Sequence, residues 1–512
     1  MPISRRAFLS GAAAAAMAPV RGGLAAQNAD QLGGRLFLHG VASGDPLQDR
    51  VILWTRVTPP ASRSATGLIE VTWRVAADER FTQVVGRGVA SAAPDRDFTV
   101  KVDASGLQPG RTYFYTFESG GQQSPIGRTK TMPGDGVERV RLAAVSCSNY
   151  PAGYFNVYRC LANRSDLDAV LHLGDYIYEF ANGVFGDGRA SGRVPLPGGE
   201  AVTLADYRLR YATYRSDRDL QDAHRQHPFI VVWDDHEIAD NTWSGGALNH
   251  QPRQGAWSTR LAAAYRAYRE WLPVREAPGP GIQLYRSFHA GDMADIVMLD
   301  TRGLRDRQLS SRDDSRLKDA RRTLLGAKQE AWLFDELRAS KTRGARWRVI
   351  GQQILFSPIS AGGPFSLDMW DGYPAARRRV LDFLSREQVG DVALLTGDLH
   401  SSWALDVPTD PWAGTTSPAA RSLAVELVAP AISSPPLYSD PAIRARGPTL
   451  PKLAPHLKYL DGDSNGYVLL DLTRDRMQAD WCFVPTVTQL TDQEVKGATF
   501  VCERGSSRLT PI

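Results

Sequence analysis

Four short apolar runs of the sequence each end in side chains that can bind metals or transfer protons. The runs and the groups that follow them are residues 140–145 before Cys147, residues 169–173 before Asp175, Tyr178 and Glu179, residues 229–233 before Asp234, Asp235, His236 and Glu237, and residues 392–395 before Asp398 and His400. In open α/β folds, sites form beyond the carboxyl ends of the strands. If the runs are strands of such a fold, the four endings can meet in one crevice.

These side chains define the chemistry that such a crevice could perform. Carboxylates and a phenolate are hard donors that suit Ca²⁺ or Fe³⁺, whereas imidazole and thiolate suit a transition metal. A carboxylate shared by two metals can hold them about 3.5–4 Å apart, and such a pair stabilises both oxygens of an in-line phosphoryl displacement. Each residue alone predicts little, because Gly-Asp after a strand is usually a turn. The ordered set at strand ends predicts a metal centre that activates water.

The surrounding sequence predicts two kinds of structure. Residues 36–133 contain alternating runs, among them 69–75, 98–102 and 111–117, which indicate a small immunoglobulin- or fibronectin-like all-β domain. From residue 138 short apolar strands alternate with helical stretches such as 258–271 and 329–340, as in an α/β domain of two sheets flanked by helices. Further strands are expected at 296–299, 347–350, 423–428, 467–472 and 477–484. Residues 180–199 are glycine-rich and predict an irregular loop, either a lid or a plain surface loop.

The beginning of the chain predicts export. Ser4-Arg5-Arg6-Ala7-Phe8-Leu9, a modest apolar run and small residues near position 25 have the layout of a twin-arginine signal peptide over residues 1–25. The run is too short to span a membrane. We therefore expect a periplasmic or secreted protein, exported by the twin-arginine machinery, with domains at 36–133 and 138–485 and a C-terminal extension at 486–512.

Composition excludes some functions and leaves one question open. The chain has 512 residues and a formal net charge of +4, part of which comes from the leader. No basic run with interleaved aromatic residues indicates a nucleic-acid partner. Four cysteines are too few for a disulfide scaffold. Whether Cys482 and Cys502 pair in an oxidising compartment stays open, because spacing does not fix geometry.

Three motifs carry a resemblance to a known superfamily. Gly174-Asp175-x-x-Tyr178, Asp235-His236-Glu237 and Gly397-Asp398-x-His400 resemble the G-D-x-x-Y, G-N-H-E and G-H-x-H blocks of calcineurin-like metallophosphoesterases in their purple acid phosphatase form. This chain departs from those blocks, because Asp235 replaces an Asn and Asp398 replaces a His. In addition, Cys147 stands where the first block usually has an Asp, and no V-x-x-H block is evident.

The departures resemble the PhoD-type alkaline phosphatases, which combine Fe³⁺ with Ca²⁺. Residues 37–46, 51–56, 299–302 and 351–353 are also similar to that family, so that the resemblance covers most of the mature chain. Loss of imidazoles in favour of oxygen ligands suits Ca²⁺. The resemblance therefore implies a metallophosphoesterase sandwich that holds Fe³⁺ and one or two Ca²⁺.

Residue roles follow from this resemblance. It implies that Asp175 bridges the metals, that Cys147, Tyr178 and His400 lie on the iron side, and that Asp235 and Asp398 lie on the calcium side. His236 corresponds to a histidine that could protonate the leaving alkoxide. Further candidates are a second calcium ligand or loop residue at Asp234, an oxygen donor at Asn241, space-filling groups at Gln352 and Gln353, and either a phosphate ligand or an ion-pair residue at Arg302.

The implied function is hydrolysis of phosphate monoesters with release of inorganic phosphate. Phosphodiesterase or phospholipase D-like activity on the same metal site is the first alternative, since relatives of this fold also cleave diesters. A non-catalytic secreted binding protein is the second alternative, and the full ligand set argues against it. The sequence does not determine the physiological substrate, the oligomeric state or whether the C-terminal segment covers the site.

Overall fold

A computed structural model describes residues 36–59, 67–276, 281–361, 363, 365–413, 417–445, 447–449 and 454–512. The predicted signal peptide at 1–25 lies outside these residues. Seven helices are described: α1 (Asn156–Ala162), α2 (Leu204–Arg215), α3 (Arg218–Gln226), α4 (Trp257–Trp271), α5 (Gly326–Arg343), α6 (Pro374–Arg386) and α7 (Pro441–Arg444). No helix in these ranges combines the length and the apolar composition that a bilayer crossing needs.

Twenty-two strands are described in the same ranges. They are β1 (Val41–Gly44), β2 (Arg50–Arg56), β3 (Ile69–Ala76), β4 (Val84–Ala92), β5 (Thr99–Ser105), β6 (Thr112–Ser119), β7 (Gln122–Gln123), β8 (Gly127–Lys130), β9 (Arg139–Val145), β10 (Ala169–His172), β11 (Pro228–Val231), β12 (Arg286–Ala290), β13 (Ala294–Met298), β14 (Trp347–Gln352), β15 (Val392–Thr396), β16 (Ser402–Pro408), β17 (Ser422–Val428), β18 (Leu457–Asp461), β19 (Asn465–Thr473), β20 (Arg476–Val484), β21 (Val495–Glu503) and β22 (Thr510–Pro511). Each strand predicted above is present, with its ends shifted by at most three residues.

The strands form three sheets. The largest has the order β22-β21-β20-β19-β9-β10-β11-β1-β2-β5, and the second has the order β12-β13-β14-β15-β17-β16-β18. The third contains β4, β3, β6 and β7, with β8 beside β6. Strands β9, β10 and β11 pair in parallel, as do β13, β14, β15 and β17. Each of the two larger sheets therefore brings several carboxyl ends to one edge.

Alternating side chains explain how the two large sheets pack. In β9, Leu142 and Ala144 belong to a cluster shared with β13, β14, β15 and β17, whereas Ala143 and Val145 belong to a cluster shared with α1 to α4. The period of two of a strand sends neighbouring side chains to opposite faces. One apolar core thus lies between the sheets, and helices cover their outer faces, with α5 and α6 packed on the second sheet.

The first strands of the chain extend the largest sheet. β1 pairs with β11, and β2 and β5 follow at the edge. A separate core, which includes Val51, Leu53, Val75 and Tyr115, joins β2 and β5 to the third sheet. Trp54, on the other face of β2, packs against the helices and donates a hydrogen bond to the Glu270 carbonyl at 2.7 Å.

One buried ion pair ties these early strands to the rest of the chain. Asp45 follows β1, is fully buried and accepts hydrogen bonds from Arg286 Nη2 at 2.6 Å and Nε at 2.9 Å. It also accepts one from the Arg275 amide at 2.6 Å. A carboxylate in this setting keeps both oxygens satisfied, and its removal leaves the arginine charge without its partner.

We expect Asp45→Ala to lower the free energy of unfolding by about 3–5 kcal/mol, the usual cost of removing one partner of a buried ion pair. Denaturant unfolding followed by tryptophan fluorescence measures this change. Asp49→Ala is the control, because its carboxylate is more than half exposed and pairs with Arg50 at the surface. A change below 1 kcal/mol at Asp45 contradicts the importance of this connection.

The strand register answers the question about Cys482 and Cys502. Cys482 lies opposite Lys496, whereas Cys502 lies opposite Met477. Five residues of strand separate the two rows, which is about 17 Å at the rise of an antiparallel strand and too far for a disulfide. All four cysteines are free thiols. Pairing of these two residues is therefore excluded by the register of β20 and β21.

Candidate active site

The candidate side chains meet where strand ends from both large sheets come together. Cys147 follows β9, Asp175 and Tyr178 follow β10, and Asp235 and His236 follow β11 in the first sheet. Asp398 and His400 follow β15 in the second sheet. The Cys147 amide donates to the Gly174 carbonyl at 3.1 Å, which links the first two loops. All seven side chains are at least nine-tenths buried.

The first group of potential ligands surrounds the Tyr178 hydroxyl. Cys147, Asp175 and His400 place one ligand atom each within 4.8 Å of one another. Tyr178 donates its hydroxyl proton to Asp175 Oδ2 at 2.9 Å, and its oxygen lies 3.2 Å from His400 Nε2. Cys147 Sγ lies 3.5 Å from the same Asp175 oxygen. The four residues predicted for the bridge and the iron side therefore lie in one cluster around Asp175.

Two more groups share residues with the first. Asp175, Asp235 and His236 form the second group, and Asp234, Asp235 and Asp398 form the third, with ligand atoms again within 4.8 Å. Asp175 belongs to the first and second groups, and Asp235 belongs to the second and third. The structure thus arranges the candidates as a connected series. The oxygen-rich end contains the residues predicted for the calcium side.

The backbone at these positions is unusual. Cys147, Asp175, Asp398 and His400 have φ values of 62°, 55°, 62° and 52°. Left-handed backbone is uncommon for residues other than glycine and costs about 1–3 kcal/mol each where it is strained. Such conformations cluster at functional sites, because the surrounding structure imposes them. The sharp turn after each strand aims the side chain into the crevice.

The tautomer of His400 is fixed by a segment that the sequence did not indicate. His400 Nδ1 lies 3.0 Å from the Pro435 carbonyl, which can only accept, so that Nδ1 carries the proton and Nε2 presents a lone pair to the first group. Ser434 Oγ donates to the Tyr178 hydroxyl at 2.8 Å. The turn after β17 therefore supports two of the predicted ligands. Its only signal in the sequence is its place directly after a predicted strand.

His236 is held by a carboxylate. Its Nδ1 lies 2.8 Å from Glu179 Oε2, and both side chains are buried. Burial lowers the pKa of His236, but the negative charges of Asp235, Asp175 and Glu179 raise it by more, so that the pKa is well above the ordinary value. Because Nδ1 is bound to Glu179, Nε2 is the ring nitrogen through which His236 can exchange a proton with a bound ligand.

Glu237 holds two of the site loops in place. Its Oε1 accepts from the Tyr176 amide at 2.6 Å, and its Oε2 accepts from the Asp234 amide at 2.8 Å and the Asp175 amide at 3.2 Å. Burial, followed by the charge of Asp175, raises the pKa of Glu237 to about 8. Glu179 and Glu237 were recognised in the sequence only as polar followers of strands. Their position next to Tyr178 and His236 was the available signal.

The five further candidates have hydrogen-bond partners of two kinds: the glutamines bind structural groups, whereas Asn241, Asp234 and Arg302 bind groups of the site. Gln352 binds Thr396 Oγ1 and the Trp370 indole, and Gln353 binds Thr301 and the Leu299 carbonyl. Both glutamines are therefore committed to structural hydrogen bonds. The backbone N–H of Asn241 donates to Asp235 Oδ2 at 2.6 Å, and its side-chain Nδ2 donates to Asp240 Oδ1 at 3.2 Å. The carboxylate of Asp234 is bound by the guanidinium of Arg302.

The glycine-rich segment 180–199 is irregular, as predicted, and covers one side of the site. The ring of Phe185 stacks at centroid distances of 5.9 Å on His400 and 6.5 Å on His236. Gly183 and Gly186 flank this turn with φ values of 87° and 106°, and the Gly183 amide donates to the Gly186 carbonyl at 2.9 Å. Asn149 Nδ2 anchors the Phe185 carbonyl at 2.6 Å. The aromatic ring therefore covers this side of the two histidines.

Fold and side chains together define an α/β enzyme with candidate metal-binding groups at the carboxyl ends of its strands. Residues 142–481 match the model of the PhoD-like phosphatase family, and residues 23–133 match that family's N-terminal domain. The chain is 38% identical over 498 residues to alkaline phosphatase D of Bacillus subtilis (strain 168), covering 93% of this chain and 82% of that protein. A solved structure of PhoD superposes with a TM-score of 0.84 at 36% identity, covering 94% of this chain and 92% of that one.

The chain belongs to the PhoD-like phosphatase family. The resemblance drawn from Cys147, Asp235 and Asp398 is thereby confirmed at the level of the family and of an enzyme of the phosphatase class. The overall fold of two large sheets with helices is confirmed as well.

Proposed function

We propose that this protein hydrolyses phosphate monoesters with metals held by the three groups described above. The single observation that carries the proposal is the double membership of Asp175. One buried carboxylate lies within 4.8 Å of a thiol and an imidazole on one side and of a second carboxylate and another imidazole on the other. Structural metal sites are saturated by their own ligands, whereas a shared carboxylate is typical of two-metal phosphoesterases.

The donors of the two ends favour different ions. Cys147, Tyr178 and His400 supply sulfur, phenol and imidazole, which fit Fe³⁺, and Asp234, Asp235 and Asp398 supply only carboxylate oxygens, which fit Ca²⁺. Burial, followed by the charge of Asp175, raises the pKa of the Cys147 thiol well above its ordinary value. A buried thiol beside a carboxylate becomes a thiolate when a cation neutralises it. The residues therefore fit Fe³⁺ and one or two Ca²⁺.

The protein's own groups supply positioning and a proton. When bound, the metals provide Lewis acidity and lower the pKa of a water molecule that attacks phosphorus. Glu179 holds His236 at Nδ1, so that Nε2 is the nitrogen that can protonate the leaving oxygen. Glu237 fixes the backbone of Asp175 and Asp234. Phe185 covers one side of the two histidines.

The finer features of architecture and location belong to the same proposal. We propose a metallophosphoesterase sandwich at 138–485, an immunoglobulin-like domain at 36–133 and an extension at 486–512 that adds β21 and β22 to the large sheet. The separate apolar core of β2, β3, β5 and β6 supports the immunoglobulin-like domain. Twin-arginine export to the periplasm or the medium is proposed from Arg5 and Arg6 alone.

The test is phosphate release from an aryl phosphomonoester and from the matching diester, before and after treatment with a calcium-selective chelator. We expect turnover of the monoester that falls at least about 10-fold on chelation and returns with Ca²⁺, because the carboxylate end loses its charge compensation. Metal analysis of the purified protein should show iron and calcium.

Two outcomes would redirect the proposal. A strong preference for the diester would retain the metal site and change the substrate class to phosphodiesters. No turnover of either ester by protein shown to contain its metals would contradict a catalytic role and favour a secreted binding protein.

A further inference from the structure

Arg302 follows β13 and is completely buried, and its guanidinium is surrounded by carboxylates. Its guanidinium lies within 4 Å of the carboxylates of Asp234, Asp235, Asp368 and Asp398. Nε donates to Asp234 Oδ1, and Nη2 donates to Asp398 Oδ1 at 2.9 Å. Nη1 donates to Asp368 Oδ2 at 2.8 Å.

Three of these four acids form the oxygen-rich group of potential ligands. Asp234, Asp235 and Asp398 come from two different sheets, and their negative charges repel one another in a buried setting. Arg302 contacts all three from a single position. A guanidinium suits this task, because it is planar, always charged and presents several donors in a fixed geometry.

We propose that Arg302 is a positioning residue that acts as a built-in cation for the calcium end of the site. It supplies part of the positive charge that a divalent ion would otherwise supply, so that its removal leaves more negative charge for calcium to compensate. The inference rests on the proposed function, because it assigns Asp234, Asp235 and Asp398 to a metal. It also excludes Arg302 as the group that binds the substrate phosphate, since its donors are directed at carboxylates.

The charges around Arg302 and Asp234 support the role proposed for Arg302. Burial alone would lower the pKa of Arg302, but Asp234, Asp235, Asp368 and Asp398 hold it well above its ordinary value. Burial raises the pKa of Asp234, and the charge of Arg302 counteracts that rise. Without the guanidinium, the third group would contain only like charges. A divalent ion would then have to compensate all of that repulsion.

Arg305 offers a matched control. It is equally buried, lies on the same loop and binds the same Asp368, through Nη2 at 2.7 Å. Its Nε donates to the Thr242 carbonyl at 2.8 Å, and its Nη1 donates to the Asp368 carbonyl at 2.7 Å. Arg305→Gln therefore removes a buried arginine from the same network without removing a contact to Asp234 or Asp398.

The experiment compares the Tm of wild type, Arg302→Gln and Arg305→Gln after treatment with EGTA and after addition of Ca²⁺. We expect Arg302→Gln to lower the Tm of the calcium-free protein more than that of the calcium-saturated protein. The calcium-induced rise should exceed the wild-type rise by at least about 3 °C, because stabilisation by a ligand grows with its affinity for the folded state. Arg305→Gln should lower both Tm values equally.

Other outcomes have distinct meanings. Equal losses in both states for Arg302→Gln would make Arg302 a structural tie and overturn the proposal. A raised KM for the aryl phosphomonoester with an unchanged calcium-induced rise would make it a substrate ligand and also overturn it. If the glutamine variant does not fold, Arg302→Lys, which keeps the charge, should retain a calcium-induced rise close to that of wild type, and a larger rise would contradict the proposal.

The wild type separates this inference from the proposed function. A wild-type Tm that does not change with calcium, in protein that turns over the ester, would overturn both this inference and the calcium assignment. Loss of turnover with a retained calcium response would overturn the proposed activity alone.

Discussion

Asp175→Asn is expected to reduce the turnover of phosphate monoesters by at least about 10³-fold, equivalent to about 4 kcal/mol of transition-state stabilisation. Asparagine has the same shape, but it lacks the charge that lies between the thiol side and the carboxylate side of the site. The substitution can also replace the oxygen that accepts from the Tyr178 hydroxyl by an NH2 group, which cannot accept this hydrogen bond. We expect the variant to lose iron as well as calcium, because Asp175 belongs to two of the three groups.

Steady-state kinetics and metal analysis of the same preparation check this expectation. Asp335→Asn serves as the control, because this aspartate lies on α5 with its side chain 75% exposed and pairs with Arg338 at the surface. It should retain wild-type activity and metal content. An Asp175→Asn protein that keeps both metals and a tenth of its activity would show that the residue is not shared.

His236→Gln is the second variant with a large expected effect. We expect kcat to fall by about 10²–10⁴-fold, the range that a positioned general acid contributes, while the metals stay bound. Glutamine keeps an N–H for Glu179, which still accepts from the Asp240 amide at 2.6 Å and from Asn249 at 2.9 Å. Since the carboxylate remains satisfied, the loss should reflect the missing proton donor rather than a collapse of the loop.

Glu179→Gln is the matched comparison for His236. It keeps a side chain of the same shape beside the imidazole, but it removes the negative charge and replaces one accepting oxygen by an NH2 group. A smaller loss, about 10-fold, is expected, as for other partners that orient an active-site group. Loss of metal from His236→Gln would instead identify His236 as a ligand through the second group. Full activity of His236→Gln would remove it from the mechanism.

The strands could be predicted from the sequence because a run of four to seven mostly apolar residues indicates a buried strand. The sequence placed the candidate ligands because each lies within five residues of the end of such a run. The contacts around Asp175 confirm that Cys147, Tyr178 and His400 come together, although their roles as ligands stay a prediction. The meeting of Cys147 and Tyr178 could be indicated by their order along the chain, because parallel strands place their ends at one edge, whereas His400 joins them from the second sheet.

Partners that are distant in sequence could not be predicted in the same way. Ser434 and Pro435 support Tyr178 and His400 through single hydrogen bonds from a turn with no chemical signature. Arg302 finds its carboxylates only when two sheets pack together. The place of β2 in the large sheet did have a signal, since residues 51–55 are all apolar or small and all buried, which is typical of a strand covered on both faces.

The pairing of β9 with β19 places a constraint on how this protein is made. Leu142 lies beside Leu470 in the centre of the large sheet, so that one edge of β9 lacks its neighbour until about 330 residues more have been synthesised, a contact of very long sequence separation. At ordinary rates of translation this interval lasts roughly 15–65 s. An apolar strand with an open edge invites pairing with other chains. Aggregation through the open edge of β9 is therefore most favoured during synthesis, before the last fifty residues leave the ribosome.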